Sequence, residues 1–214
     1  MGRDLAAIEK GVPKGNFYER LVTTAPTPEK AQNYNGDITY TYPASVQPGL
    51  YQVRVAVRDD KSGLTGSVHG WIEIPDLNNK RLSMSSILLG ERKQDTMKSV
   101  SSGGEADVLL NPGHRFNIES TLRFLAFAYN ATLSKTDQQP DVAVQVQVIR
   151  DDEPIITTAL RKLSAEDNQD VTRMPYAAEI PLTGLQAGRY VLQVTFIDRV
   201  SKQSTSRQTH FDII

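Results

Sequence analysis

The chain has no cysteine, which excludes disulfides, thiolate metal sites and a cysteine nucleophile. It leaves the redox compartment open, because some exported proteins also lack the residue. Neither sign of charge dominates. Lys and Arg total 24 against 25 Asp and Glu, for a net charge of −1, so no strong field draws nucleic acid or an anionic membrane to the surface. No apolar run approaches the roughly 20 residues that span a bilayer, and no membrane insertion is expected. The opening MGRDLAAIEKGVPKG contains neither an h-region nor a cleavage site, so these residues are not expected to be a signal peptide. Met1-Gly2 reads as the start of an excised fragment, with a signal peptide or further domains expected upstream.

Motifs that carry chemistry are scarce. The three histidines, His69, His114 and His210, form no HExxH, no HxH and no pair at helical spacing, so they read as surface residues rather than metal ligands. Carboxylates cluster at Asp59-Asp60, at Asp151-Asp152-Glu153 and at Glu166-Asp167 to Asp170. None has EF-hand spacing, and the simplest reading is solvated loop tips, with Asp59 and Asp198 capping turns; loop calcium stays open. The serines of SVSSGGE (Ser99 to Glu105) belong to no G-x-S-x-G elbow and to no phosphate loop. Carboxylate pairs for glycoside hydrolysis converge only in space, so the sequence leaves that class untested. No catalytic, cofactor-binding or metal-binding residue is assigned, no cofactor is expected, and the chain reads as a non-enzyme.

What is present is a repeat. Gly49 to Ile74, GLYQVRVAVRDDKSGLTGSVHGWIEI, returns without a gap as Gly188 to Ile213, GRYVLQVTFIDRVSKQSTSRQTHFDI. Gly49/Gly188, Tyr51/Tyr190, Val55/Val194, Asp59/Asp198, Ser62/Ser201, Ser67/Ser206 and Ile74/Ile213 are identical, while Val53/Leu192, Val57/Phe196 and Ile72/Phe211 stay apolar. Tyr51, Val53, Val55 and Val57 alternate with polar residues, the period of a half-buried strand. DDKSGLTG then supplies turn chemistry, and Pro75 stops the return strand. The repeat is a duplicated β-hairpin. Each copy is introduced by an apolar residue, a tight turn and a Tyr: Val46-x-Pro48-Gly49-x-Tyr51 and Leu185-x-Ala187-Gly188-x-Tyr190. This resembles the tyrosine corner of immunoglobulin-like and fibronectin-type sandwiches, in which case each hairpin is the last strand pair of its module.

The fold class expected is therefore all-β, with two tandem immunoglobulin- or fibronectin-III-like β-sandwich modules. Residues 1–76 form the first and 77–214 the second, with the boundary in the Pro- and Asn-bearing IPDLNNKR (Ile74 to Arg81). In the second, strands are expected at 82–89, 116–122, 123–129, 142–149, 155–160 and 178–182 before the hairpin, with long loops at 90–107 and 164–174. The first module is short of strands, either reduced or truncated at its N-terminus. Strands are expected at 17–23 and 37–42 around a loop at 23–36, with one or two helical turns at Arg3 to Lys10. Trp71, the one tryptophan, and Tyr34, Tyr40 and Tyr42 could form a platform for sugar rings, but aromatics in strands usually pack, and a core or inter-module contact is preferred.

PGLYQVRVAVRD (Pro48 to Asp59), GSVHGWIEIPDL (Gly66 to Leu77), LSMSSILL (Leu82 to Leu89), LTGLQAGRYVLQVTFID (Leu182 to Asp198) and the closing HFDI resemble the C-terminal β-sandwich region of von Willebrand factor A-related proteins of acidobacteria. The resemblance runs from about Tyr42 to the end. The A domain's adhesion motif D-x-S-x-S is absent, so none of that domain's metal residues carries over. The resemblance implies accessory, spacer or interaction modules of an exported or cell-envelope bacterial protein, located outside the cytoplasm. The expected partner is protein, with a carbohydrate-binding module as the alternative; no nucleic acid partner is expected, and the oligomeric state is open.

Overall fold

The alternation of β-branched residues that marks Tyr51 to Val57 does become a strand, and strands account for nearly all the regular structure. The computed structural model describes residues 2–7, 12–18, 44–92, 108–163 and 171–214. Contacts divide the chain into two compact units, 1–78 and 79–214.

In the first unit, β1 (Gly2–Ala7), β2 (Val12–Tyr18), β3 (Gly49–Arg58) and β4 (Thr65–Ile74) form one antiparallel sheet in the order β2-β1-β3-β4. The helical turns expected at Arg3 to Lys10 are not formed. Gly2 to Ala7 lie in β1, paired with β2 on one side and β3 on the other, because two ladders of backbone hydrogen bonds outweigh the slight helical preference of a short segment. The strand expected at 17–23 contributes Phe17 and Tyr18 to the end of β2. Its remainder, the loop 23–36 and the strand 37–42 lie outside the described residues. β3 and β4 are joined by a turn in which the Gly63 amide donates to the Asp59 carbonyl at 2.8 Å and the Asp59 amide to the Leu64 carbonyl at 2.9 Å.

The second unit is a two-sheet β-sandwich. Its strands are β5 (Ser83–Met84), β6 (Leu88–Arg92), β7 (Val108–Leu110), β8 (Arg115–Phe116), β9 (Thr121–Tyr129), β10 (Val142–Arg150), β11 (Glu153–Thr157), β12 (Arg161–Lys162), β13 (Arg173–Pro181), β14 (Gly188–Asp198) and β15 (Gln203–Ile213). One sheet runs β11-β10-β14-β15-β8 with β12 beside β10, and the other β13-β9-β6-β7 with β5 beside β9. All pairs are antiparallel except β8, which lies parallel to β15. Val142, Val144, Val146 and Val148 of β10 and Leu192, Val194 and Phe196 of β14 face Leu122, Phe124, Ala126 and Ala128 of β9 across the core. Tyr190 stacks on Phe211 at 5.4 Å between centroids, and Phe116 meets the Phe211 ring edge-on at 6.3 Å. Each such side chain, fully buried, is worth about 1.5–3 kcal/mol in apolar transfer.

Several expected boundaries moved for identifiable reasons. The two strands expected at 116–122 and 123–129 are a short β8 and a single long β9. Asn117 makes the break, its side chain accepting the Glu119 amide at 2.8 Å and its carbonyl the Ser120 amide at 2.9 Å. The strand expected at 82–89 is split into β5 and β6 at Ser85, whose hydroxyl accepts the Phe127 amide at 3.0 Å. β13 starts at Arg173, ahead of the expected 178 and through Pro175, which an edge strand tolerates because one row of its amides has no partner strand. β11 ends at Thr157, short of 160. Of the loop expected at 90–107, Gly90 to Arg92 belong to β6 and 93–107 lie outside the described residues; of 164–174, so do 164–170. β7 and β12 were not expected.

Candidate functional site

The two hairpins repeat in three dimensions as they do in sequence. Gly49 pairs with Ile74 and Tyr51 with Ile72; Gly188 pairs with Ile213 and Tyr190 with Phe211. The Tyr51 hydroxyl donates to the Gln47 carbonyl at 2.7 Å, and the Tyr190 hydroxyl to the Gln186 carbonyl at 2.6 Å. Both span four residues, and both need the chain to fold back at a glycine of positive φ, Gly49 at 151° and Gly188 at 143°, where a side chain would be strained. In the second copy the Arg150 guanidinium also donates to the Tyr190 hydroxyl at 3.0 Å and sits 5.3 Å from the ring centre.

Asp59 and Asp198 cap their turns in the same way. The amides of Lys61 and Ser62 donate to the Asp59 carboxylate, and those of Val200 and Ser201 to Asp198. The hydroxyls of Ser62 and Ser201 add a third bond in each copy. Hydrogen bonds from the Ser62 hydroxyl and the two amides hold the Asp59 carboxyl below its ordinary value. Asp198 differs in being buried. Desolvation pushes its pKa up, but hydrogen bonds from Ser201 and Thr132 outweigh that and leave it lowered.

The other acids and histidines are tied into local structure too. Asp151 and Asp152, at φ 51° and 65°, form the two-residue turn between β10 and β11, the geometry of a primed hairpin turn. His114 Nδ1 lies 2.9 Å from the His210 carbonyl; a carbonyl only accepts, so that nitrogen carries the proton. Beside it Arg189 pairs with Asp212 at 3.2 Å, and the four residues line an open hollow of about 370 Å³. The ion pair is exposed and worth under about 1 kcal/mol. His69 is exposed on β4, and Glu166, Asp167 and Asp170 lie outside the described residues, as do Ser99 to Glu105. Among the described residues no three of His, Asp and Glu are placed to hold a metal ion.

The surface that stands out is β4. It is the outer strand of its sheet, ten residues long, and holds neither lysine nor proline, two common protections of a free edge. Trp71 is 57% exposed, so of the core or inter-module contact expected from sequence the core position is not observed; Tyr34, Tyr40 and Tyr42 lie outside the described residues. Val68 is 67% exposed and Ile72 39%. The second copy carries Arg207 where the first has Val68, His210 for Trp71, Gln203 for Leu64 and Arg189 for Leu50. The first hairpin thus presents apolar side chains where its twin presents polar ones. Sequence alone hid this, because apolar residues in a strand look the same whether an opposing sheet covers them or not.

No protein-family model matches the chain, and no curated protein matches it either.

Proposed function

We propose that this chain is a non-catalytic accessory region of an exported or cell-envelope bacterial protein, made of two tandem immunoglobulin-like modules that space other parts and make protein contacts. The observation that carries this reading is the β4 edge, which has no partner strand among the described residues and bears Val68, Trp71 and Ile72 exposed along it, since unpaired strand edges bind other chains by adding a strand. Three further features support it. The strand order β13-β9-β6 against β11-β10-β14-β15, with β8 parallel to β15, is compatible with an immunoglobulin-type arrangement. Both hairpins carry the tyrosine corner. Of the acids singled out from sequence, Asp59, Asp198, Asp151 and Asp152 serve turns. The likeness to the accessory region of von Willebrand factor A-related proteins supports an extracytoplasmic location and a bacterial source. Fractionation of cells that make the protein, probed with an antibody against this chain, should recover it in the envelope or medium; recovery in the cytosol would overturn the reading.

One observation favours a second function, carbohydrate binding: the exposed indole of Trp71, whose flat face suits a sugar ring. A glycan array probed with the full chain and with Trp71→Ala decides it. Binding that the variant loses would establish it, and no binding to any glycan would end it.

A further inference from the structure

We infer that β4 pairs with β4 of a second copy of this chain, antiparallel and centred on Trp71. The inference rests on the contact reading of that edge and names its partner. A two-fold axis normal to the sheet joins two β4 edges into one continuous sheet and keeps like faces on the same side, so residues of equal parity stand opposite each other. Centring the axis on Trp71 sets His69 against Glu73 of the second copy, twice by symmetry. Within one chain the register already sets Arg54 beside His69. Each row of Arg54 and His69, with its fixed positive charge on Arg54, therefore ends on a carboxylate across the seam, and the two indoles meet on the axis. On the opposite face Val68 stands against Ile74 and Gly70 against Ile72, an apolar pair and a small-against-large pair.

The neighbouring centres do not match charge in this way. An axis at Gly70 sets Glu73 against Ser67, and one at His69 sets it against Thr65. The second hairpin supplies a contrast, because its outer strand already carries β8 along its C-terminal end. It has Arg207 and His210 where β4 has Val68 and Trp71; an axis at His210 would bring two histidines together. The apolar residues therefore sit on the hairpin whose edge has no partner strand among the described residues. Such a pairing is isologous, the same patch meeting itself, as a closed two-fold dimer requires.

Sedimentation of the full chain across a concentration series tests this. The chain should form a dimer, and Glu73→Lys and His69→Glu should each lose it, since the first replaces the carboxylate at the end of each Arg54-bearing row with a cation and the second sets two carboxylates opposite each other twice. Mixed one to one, the two variants should regain it, because His69 then faces Glu73 and the new lysine the new glutamate. Val68→Lys, at an exposed position whose twin is Arg207, should also abolish the dimer while far-UV circular dichroism stays unchanged. A monomeric wild type, single variants that dimerise as well as wild type, or a mixture that stays monomeric would each overturn the pairing. A monomeric chain still recovered from the envelope would remove self-pairing and leave the accessory function standing.

Discussion

The Thr132 backbone amide donates to the Asp198 carboxylate at 2.8 Å, tying the segment after β9, in one sheet, to the β14–β15 turn of the other. The same carboxylate accepts Val200 and Ser201, so one buried acid closes a hairpin and bridges the sandwich. Asp59, its twin, closes a hairpin only.

Asp198→Ala should cost about 2–3 kcal/mol of stability, since it leaves several donors around a buried site without their charged acceptor. The denaturation midpoint followed by far-UV circular dichroism measures it. Asp59→Ala, at an exposed site, should shift the midpoint less.

Acid should weaken the second unit through the same group. The Asp198 pKa is lower folded than unfolded, so its contribution is complete above about pH 4, the ordinary aspartate value, and is lost as pH falls through the lower native value. Stability measured from pH 6 down to pH 2 should fall less steeply in Asp198→Asn than in wild type. Equal slopes would mean that the carboxylate is not the acid-sensitive group.

Tyr190→Phe removes the donor to the Gln186 carbonyl at a part-buried site and should destabilise by about 0.5–1.5 kcal/mol. Tyr51→Phe makes the matching deletion in the first unit. Trp71, the one tryptophan, lies in that unit, so its emission follows the first unfolding. Deletions that leave both transitions unmoved would show that neither corner bond contributes.

Phe196 is fully buried, whereas Val57, at the matching register position, is 50% exposed. Phe196→Ala should cost about 3–5 kcal/mol by opening a cavity, and Val57→Ala within about 0.5 kcal/mol, as exposed substitutions do. Comparable costs would mean that the first sheet has a cover.

Much of the fold was legible because hairpins are local. Alternation at Tyr51 to Val57, an Asp-x-x-Ser turn and a Gly two residues before a Tyr each act over a few residues, and both copies fold as read. Turns at Asn117 and Ser85 were missed because one side-chain hydrogen bond breaks a strand that the hydrophobic pattern would continue. β13 begins ahead of the expected 178 and runs through Pro175, which is tolerated only because of its place at a sheet edge, and that place is set by distant strands.

The amino-acid order by itself determined an all-β chain and two hairpins of common register, since period-two alternation and turn chemistry are carried by neighbours along the chain. Only the tertiary structure decided which faces and edges were covered. Val57 and Phe196 share a place in the repeat and differ in exposure because burial depends on an opposing sheet built from distant residues. For the same reason β4, rather than β15, is left with apolar side chains along an edge that has no partner strand among the described residues.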